Sequence, residues 1–305
     1  MDLIPPSRAA EIWGVRAARR VLDYVELGKP RLVSLVLVTT AVGYYLGAER
    51  ASDLVLLWPT ILGTALAATG SLALNQVMER QTDGLMPRTC HRPLPDGRLS
   101  VLEATAYGAT MSVLGVAYLW AAVGWLPAAI TALTIATYLL VYTPLKRRSP
   151  LCTVAGAIPG ALPPVAGWAA ASGRVGVEAG VLFTILFLWQ LPHSLAIAQL
   201  YRDDYAAAGL KVLPLTPGGA EATGRQAVLH TVALALVALL PTALGLAGRW
   251  YFVVTVLAGM AFVAASIAFA REKSASRARV LLFASLLYLP LVLGLMAFDR
   301  QWPLQ

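Results

Sequence analysis

Long stretches of this chain run without a single Asp, Glu, Lys or Arg: Leu32–Ala48, Leu54–Met78, Ser149–Gly173, Ala179–Tyr201, Gln226–Gly248, Trp250–Ala270 and Val280–Phe298. Each is long enough to cross about 30 Å of hydrocarbon as a helix. One more such stretch, Ala104–Leu145, is too long for a single crossing, and its Gly124-Trp125-Leu126-Pro127 is a breaker that divides it in two. The pattern predicts an all-α polytopic bundle of nine transmembrane helices. A single membrane domain spans residues 32–298, with residues 1–31 as a cytoplasmic N-terminal segment and residues 299–305 as a short tail.

Composition agrees with this reading. Of 305 residues, 58% are hydrophobic and only 13% charged, with a mean hydropathy of +0.68, which excludes a soluble globular protein. Charge then sets the orientation. With the N-terminus in the cytoplasm and the C-terminus outside, all of the 24 Lys and Arg residues except Arg50, Arg174, Arg249 and Arg300 fall on the cytoplasmic side, as the positive-inside rule requires. Glu49, Asp53, Glu178 and Asp299 cancel those four, so the whole formal +8 belongs to the cytoplasmic face. Such a surface suits anionic lipid and does not by itself indicate a phosphate substrate or a nucleic acid. Arg8, Arg16, Arg19, Arg20 and Lys29 precede the first apolar run with no apolar core or cleavage site, so no signal peptide is expected. Cys90 and Cys152 both fall on the reducing side, and no disulfide framework is implied.

The polar chemistry gathers on that same side. If Leu54–Met78 continues as a helix, Asn75, Glu79 and Asp83 form one oxygen-rich stripe, because each step of four drifts by only about 40°. The carboxyl end of a helix disfavours carboxylates unless a cation offsets them, so the stripe invites a divalent ion. A charged loop follows, with Arg88, His91 and Arg92, and a second acidic cluster, Tyr201-Arg202-Asp203-Asp204-Tyr205, ends another apolar run. Between them stands Tyr142-Thr143-Pro144-Leu145-Lys146-Arg147-Arg148. Each element has a plainer explanation: an acidic pair at a membrane edge is ordinarily solvated surface, and Lys146, Arg147 and Arg148 satisfy topology alone. Together, two acidic helix ends and a basic segment at one depth match a diphosphate held by magnesium and fixed cations. The active-site cavity is accordingly expected to open at the cytoplasmic side.

Asn75-Gln76-x-x-Glu79-x-x-x-Asp83 resembles the first aspartate-rich motif of the UbiA-type intramembrane prenyltransferases, with Gln76 and Glu79 replacing acidic residues. Further segments are similar to the haem O synthases, the protohaem IX farnesyltransferases of that superfamily. They are Met86-x-Arg88-Thr89-x-x-Arg92-Pro93-Leu94, Tyr142 to Arg148, Gly156 to Trp168, Phe187 to His193 and Tyr201 to Tyr205. Ser194 departs from the family, which commonly has Phe after the histidine, and adjacent Asp203 and Asp204 leave open which of them faces metal. The resemblance covers about Lys29 to Pro214; the later helices match mainly in hydropathy.

It implies transfer of the farnesyl group of farnesyl diphosphate to a vinyl group of haem B, water completing the side chain of haem O, with Mg2+ as cofactor. It further implies a multi-pass protein of the cell inner membrane, in contact with the lipid bilayer, and haem A synthase or oxidase-assembly proteins as recipients. Asn75, Glu79 and Asp83 are then one magnesium site, and Asp203 with Asp204 the other. Arg88, Arg92, Lys146 and Arg147 face diphosphate, with Tyr201 and Arg202 beside it. Tyr142 either stabilises the allylic cation or serves as an interfacial belt residue. His193, about two turns inside the membrane, either orients haem or hydrogen-bonds within the bundle. Gly156, Gly160 and Gly167 with Pro159, Pro163 and Pro164 either widen a pocket for a planar macrocycle or pack helices closely.

Two rivals stand beside this reading. One is a prenyltransferase acting on an aromatic acid or quinone precursor, against which the Pro163-Pro164 and Trp189-to-His193 segments speak. The other is an anion transporter, which would place ionisable residues near mid-membrane; this chain has none there.

Overall fold

The computed structural model describes residues 18–301. A short helix at residues 18–27 (α1) leads to α2, Pro30–Gly47, and after a 3-10 turn to α3, Leu57–Asp83. Then come α4, Val101–Ala122, and α5, Trp125–Ala136, which runs through a π-helical stretch, Thr137–Tyr142, into α6, Thr143–Leu145. Next are α7, Cys152–Ser172; α8, Val177–Leu200; the short α9, Arg202–Ala207; and α10, Gly219–Val237, extended by α11, Leu240–Ala243. The last pair is α12, Arg249–Arg271, and α13, Ala275–Phe298. Among the described residues there is no strand, only a single bridge between Ala247 and Arg300.

Eight helical segments are long and apolar enough to cross a membrane, and the outward faces carry exposed Leu35, Val113, Leu140, Leu257 and Leu287. This is the make-up of a multi-pass membrane protein. The 22-residue α4 is a further long helix but not one of those eight. Gly124, with φ 147, breaks the chain between α4 and α5 at the expected place. Two boundaries differ from the sequence pattern. α10 begins at Gly219 rather than Gln226, because Glu221 sits in its first turn and pairs with Lys273 at 3.3 Å. It ends early because Pro241 starts a new turn.

Small residues let the helices approach. A methyl on Gly115 of α4 would lie 2.4 Å from the Ala67 nitrogen of α3, and one on Gly43 of α2 would lie 2.0 Å from the Pro164 carbonyl oxygen of α7. Without a hydrophobic drive between helices in lipid, such backbone contact supplies the packing. The main apolar core lies among α7, α8, α10, α12 and α13, where Leu182, Ile185, Phe262, Phe269 and Leu281 are buried. Arg300 closes the ring by donating to the backbone oxygens of Tyr45 and Ala48 at the end of α2.

One end of the bundle is stitched by polar contacts. Arg98 pairs with Asp23 and, at 3.0 Å each, with Glu26 and Asp96, tying α1 to the loop after α3. Ser100 and Glu103 form a capping box at the start of α4, which satisfies backbone donors left free by the helix end. Gln76 Nε2 donates to Leu27 O at 2.8 Å, so α1 is also fastened to α3. The 27 residues of α3 extend ~40 Å, longer than the hydrocarbon layer, and its last turns are polar.

Candidate active site

Those last turns hold Asn75, Glu79 and Asp83, and each meets a cation from a different segment. Asn75 Oδ1 accepts from Lys29 Nζ at 3.0 Å. Glu79 Oε1 lies 2.7 Å from Lys146 Nζ, and Asp83 Oδ2 lies 2.6 Å from Arg92 Nη1. The negative end of a helix dipole demands this neutralisation. Gln76, the other polar residue of the motif, turns the opposite way onto Leu27. Lys29 has φ 51, in the left-handed region that a non-glycine residue rarely adopts. Burial, reinforced by Arg92, pushes its ammonium down to about 7.

Lys146 is placed by a local irregularity. Pro144 has no N–H to offer the Leu140 carbonyl, and the helix before it widens into the π-helical turn Thr137–Tyr142. Thr143 Oγ1 donates to Tyr138 O at 2.8 Å and accepts from Asn75 Nδ2 at 3.0 Å, locking this turn to α3. Lys146 Nζ stands 4.6 Å above the Tyr142 ring, and Tyr142 stacks on Tyr138 with centroids 5.6 Å apart.

The second acidic cluster gathers around Arg88. Its guanidinium lies 4.6 Å from the Tyr201 ring centroid and 5.1 Å from that of Tyr205, and its Nε is 3.8 Å from Asp204 Oδ2. Asp203 points elsewhere: its side chain is 98% exposed beside Arg202. Arg147 lines a smaller hollow of about 230 Å3 with Glu79 and Lys146. Among the described residues no three His, Cys, Asp or Glu side chains gather to hold a metal unaided.

Beneath Lys146 a cavity of about 400 Å3 descends between α3, α5, α7 and α8. Its walls are largely apolar or small, with Tyr142, Gly156 and Gly160 near the top and Thr64 and Thr131 among its polar groups. His193, for which the sequence leaves open a place beside haem or a hydrogen bond within the bundle, does not line it. Its Nδ1 is 2.8 Å from Ser285 Oγ of α13 and its ring stacks on Trp189 at 4.9 Å. Gln190 and Ser194 share the cavity face of α8, and His193 is turned off that face toward α13. Sequence reasoning also overlooked Lys29, counted there only toward topology, and Thr143; the residue before Pro30 carried the only signal.

A cavity apolar within and cationic at its mouth complements a molecule with an anionic head and a greasy tail. The chain belongs to the UbiA prenyltransferase family, whose sequence profile matches residues 36–287. It is a prenyltransferase by that membership. The protoheme IX farnesyltransferase of Solibacter usitatus (strain Ellin6076) is 47% identical over 287 residues, covering 91% of this chain and 98% of the relative. Two solved structures share the fold. Digeranylgeranylglyceryl phosphate synthase superposes with a TM-score of 0.79 at 16% identity, over 92% of this chain and 98% of that one. A UbiA homologue from Archaeoglobus fulgidus bound to GPP and Mg2+ does so with a TM-score of 0.57 at 19% identity, over 90% and 99%.

Proposed function

We infer that the chain transfers the farnesyl group of farnesyl diphosphate to a vinyl group of haem B, giving haem O and diphosphate, the activity named for its curated relatives. The observation that carries this at the site is Lys146 lining an apolar cavity beside the Tyr142 ring while it pairs with Glu79, with Lys29 and Arg92 on the neighbouring positions of the same stripe. Lys146, Lys29, Arg92 and Arg88 receive the diphosphate, Arg88 and Arg92 with planar forks suited to phosphate oxygens. Arg147 guards the adjoining hollow, and Tyr201 with Arg202 flanks Arg88. Tyr142 faces the allylic carbon as charge develops there, and the apolar walls keep water from that carbon until coupling.

The donors present fit magnesium, a hard cation that takes one or two carboxylates and completes its shell with phosphate oxygens. Asn75, Glu79 and Asp83 would hold one such ion and Asp204 would serve a second, and bound there they would offset the charge on the leaving diphosphate. Asp203, turned to solvent, is given no metal role. His193 keeps a packing role against α13.

The same reading places the chain in the inner membrane as one domain over residues 32–298, with α4 as a ninth crossing. The N-terminus and the cavity mouth face the cytoplasm, where haem A synthase or oxidase-assembly proteins would take the product. Incubation of purified protein with haem B, farnesyl diphosphate and magnesium, followed by mass analysis of the porphyrin, tests it. Farnesylated haem is expected; turnover only of 4-hydroxybenzoate would overturn it.

A further inference from the structure

One part of the cavity wall has no role in binding diphosphate or releasing it. On α7, Gly156 and Gly160 lie one turn apart, and a side chain from another helix rests on each. A methyl on Gly156 would sit 2.6 Å from Cε2 of Tyr142, and one on Gly160 would sit 1.9 Å from Oε1 of Gln190. The two glycines thus seat an aromatic ring and an amide in succession along α7. Gln190 is about 6 Å further than Tyr142 from the Lys146 end.

The amide has a fixed orientation. Its Nε2 donates to Leu186 O at 3.1 Å and to Ala157 O at 3.4 Å. Flipped, its oxygen would face two carbonyl oxygens, so the network assigns donor and acceptor. Oε1 is left without a hydrogen-bond partner among the described residues. One turn along α8, Ser194 lines the same cavity, and its hydroxyl also has no partner among the described residues. An unpaired acceptor beside a hydroxyl is out of place in a cavity that shields an allylic cation from water. It suits the single water that haem farnesylation consumes.

We propose that Gln190 Oε1, with Ser194 Oγ beside it, positions the water that adds to the haem side chain once the carbon–carbon bond has formed. This rests on haem B being the acceptor. The farnesyl C1–O bond breaks and its electron pair leaves with diphosphate. The vinyl π pair then bonds the terminal vinyl carbon to C1, leaving positive charge on the carbon next to the porphyrin ring. Water donates a lone pair to that carbon, and its proton passes to the released diphosphate; nothing is oxidised or reduced. An amide oxygen does not take up the proton. It accepts a hydrogen bond from the water and aims the lone pair, which makes Gln190 a positioning residue. Without it, the cation sheds a proton from the neighbouring CH2 and gives an alkene lighter by one water.

The test is the ratio of alkene to hydroxylated haem, read by mass spectrometry in heavy-oxygen water with haem B, farnesyl diphosphate and magnesium. A ratio is independent of how much enzyme is folded. Gln190→Leu is expected to raise it about tenfold, the worth of one lost hydrogen bond. Gly160→Ala fills the amide's seat and raises the ratio in the same direction, and it carries the test if Gln190→Leu does not fold. An unchanged ratio in the folded variants overturns the proposal. Absence of any farnesylated haem from the unaltered protein would instead overturn the reading on which it rests.

Discussion

Lys29 reaches from the link ahead of α2 to donate, at 3.0 Å, to Oδ1 of Asn75, the amide that begins the oxygen-rich stripe on α3. It does so from a left-handed backbone conformation, φ 51, that costs roughly 1–2 kcal/mol in a residue with a Cβ. Strain of this kind persists where the surroundings over-determine it, and here Pro30 on one side and Asn75 on the other hold the residue.

The same residue gives a pH prediction. With its pKa lowered from 10.5 to about 7, Lys29 is an ammonium below that pH and a free amine above it, whereas an ordinary lysine stays protonated to about 10. Peptide mapping after brief treatment with a small acylating reagent should show Lys29 modified with a midpoint near pH 7 in the magnesium-free protein. Diphosphate should protect it. Modification that begins only above pH 9 would contradict the burial argument.

Removing Lys146 strands Glu79 in a largely buried position. Lys146→Met should lower stability by about 3 kcal/mol and abolish turnover. Adding Glu79→Gln should restore most of the thermal midpoint without restoring activity. A double variant no more stable than the single one would show that the pair is not coupled.

Asp203 and Asp204 are neighbours in sequence with different surroundings. Asp204→Asn should slow turnover by about a hundredfold, the usual cost of one group stabilising transition-state charge. Asp203→Asn should stay close to the parent rate. Steady-state rates at saturating magnesium decide, and the reverse order would relocate the second carboxylate.

If the Tyr142 ring faces the allylic cation, the ring matters and its hydroxyl does not. Tyr142→Phe should retain most of the rate, while Tyr142→Leu should lose about 2- to 30-fold, equivalent to 0.5–2 kcal/mol. Equal losses in both would assign the residue to the membrane interface instead.

Gly43→Ala would press a methyl against the Pro164 backbone, whereas a methyl on Gly180 meets nothing within 4 Å. The first should destabilise by about 1–3 kcal/mol and the second should be nearly neutral. Thermal melts of the two variants in one detergent make the comparison.

Much of this architecture is legible in the chain because single segments encode it. The uncharged runs mark helices, and the Gly124 break falls where the sequence puts it. The spacing of Asn75, Glu79 and Asp83 fixes one face whatever packs beside it. What was illegible depends on two segments at once. That Lys29 would turn left-handed, or that Asp204 rather than Asp203 would meet Arg88, follows from neighbours brought in by other parts of the chain. For His193 the two alternatives could not be separated, since depth is a count of residues and facing, here toward Ser285, is set by which helix packs where. The charged start of α10 looked like loop because its partner Lys273 is 52 residues away.

On its α7 side the cavity is lined at Gly156 and Gly160 by residues without side chains, and Tyr142 and Gln190 are seated on them. At those two positions substitution works in only one direction: a side chain added at Gly156 or Gly160 displaces the ring or the amide, and there is none to trim. Enlarging the cavity at that level therefore falls to the residues seated there, Tyr142 and Gln190.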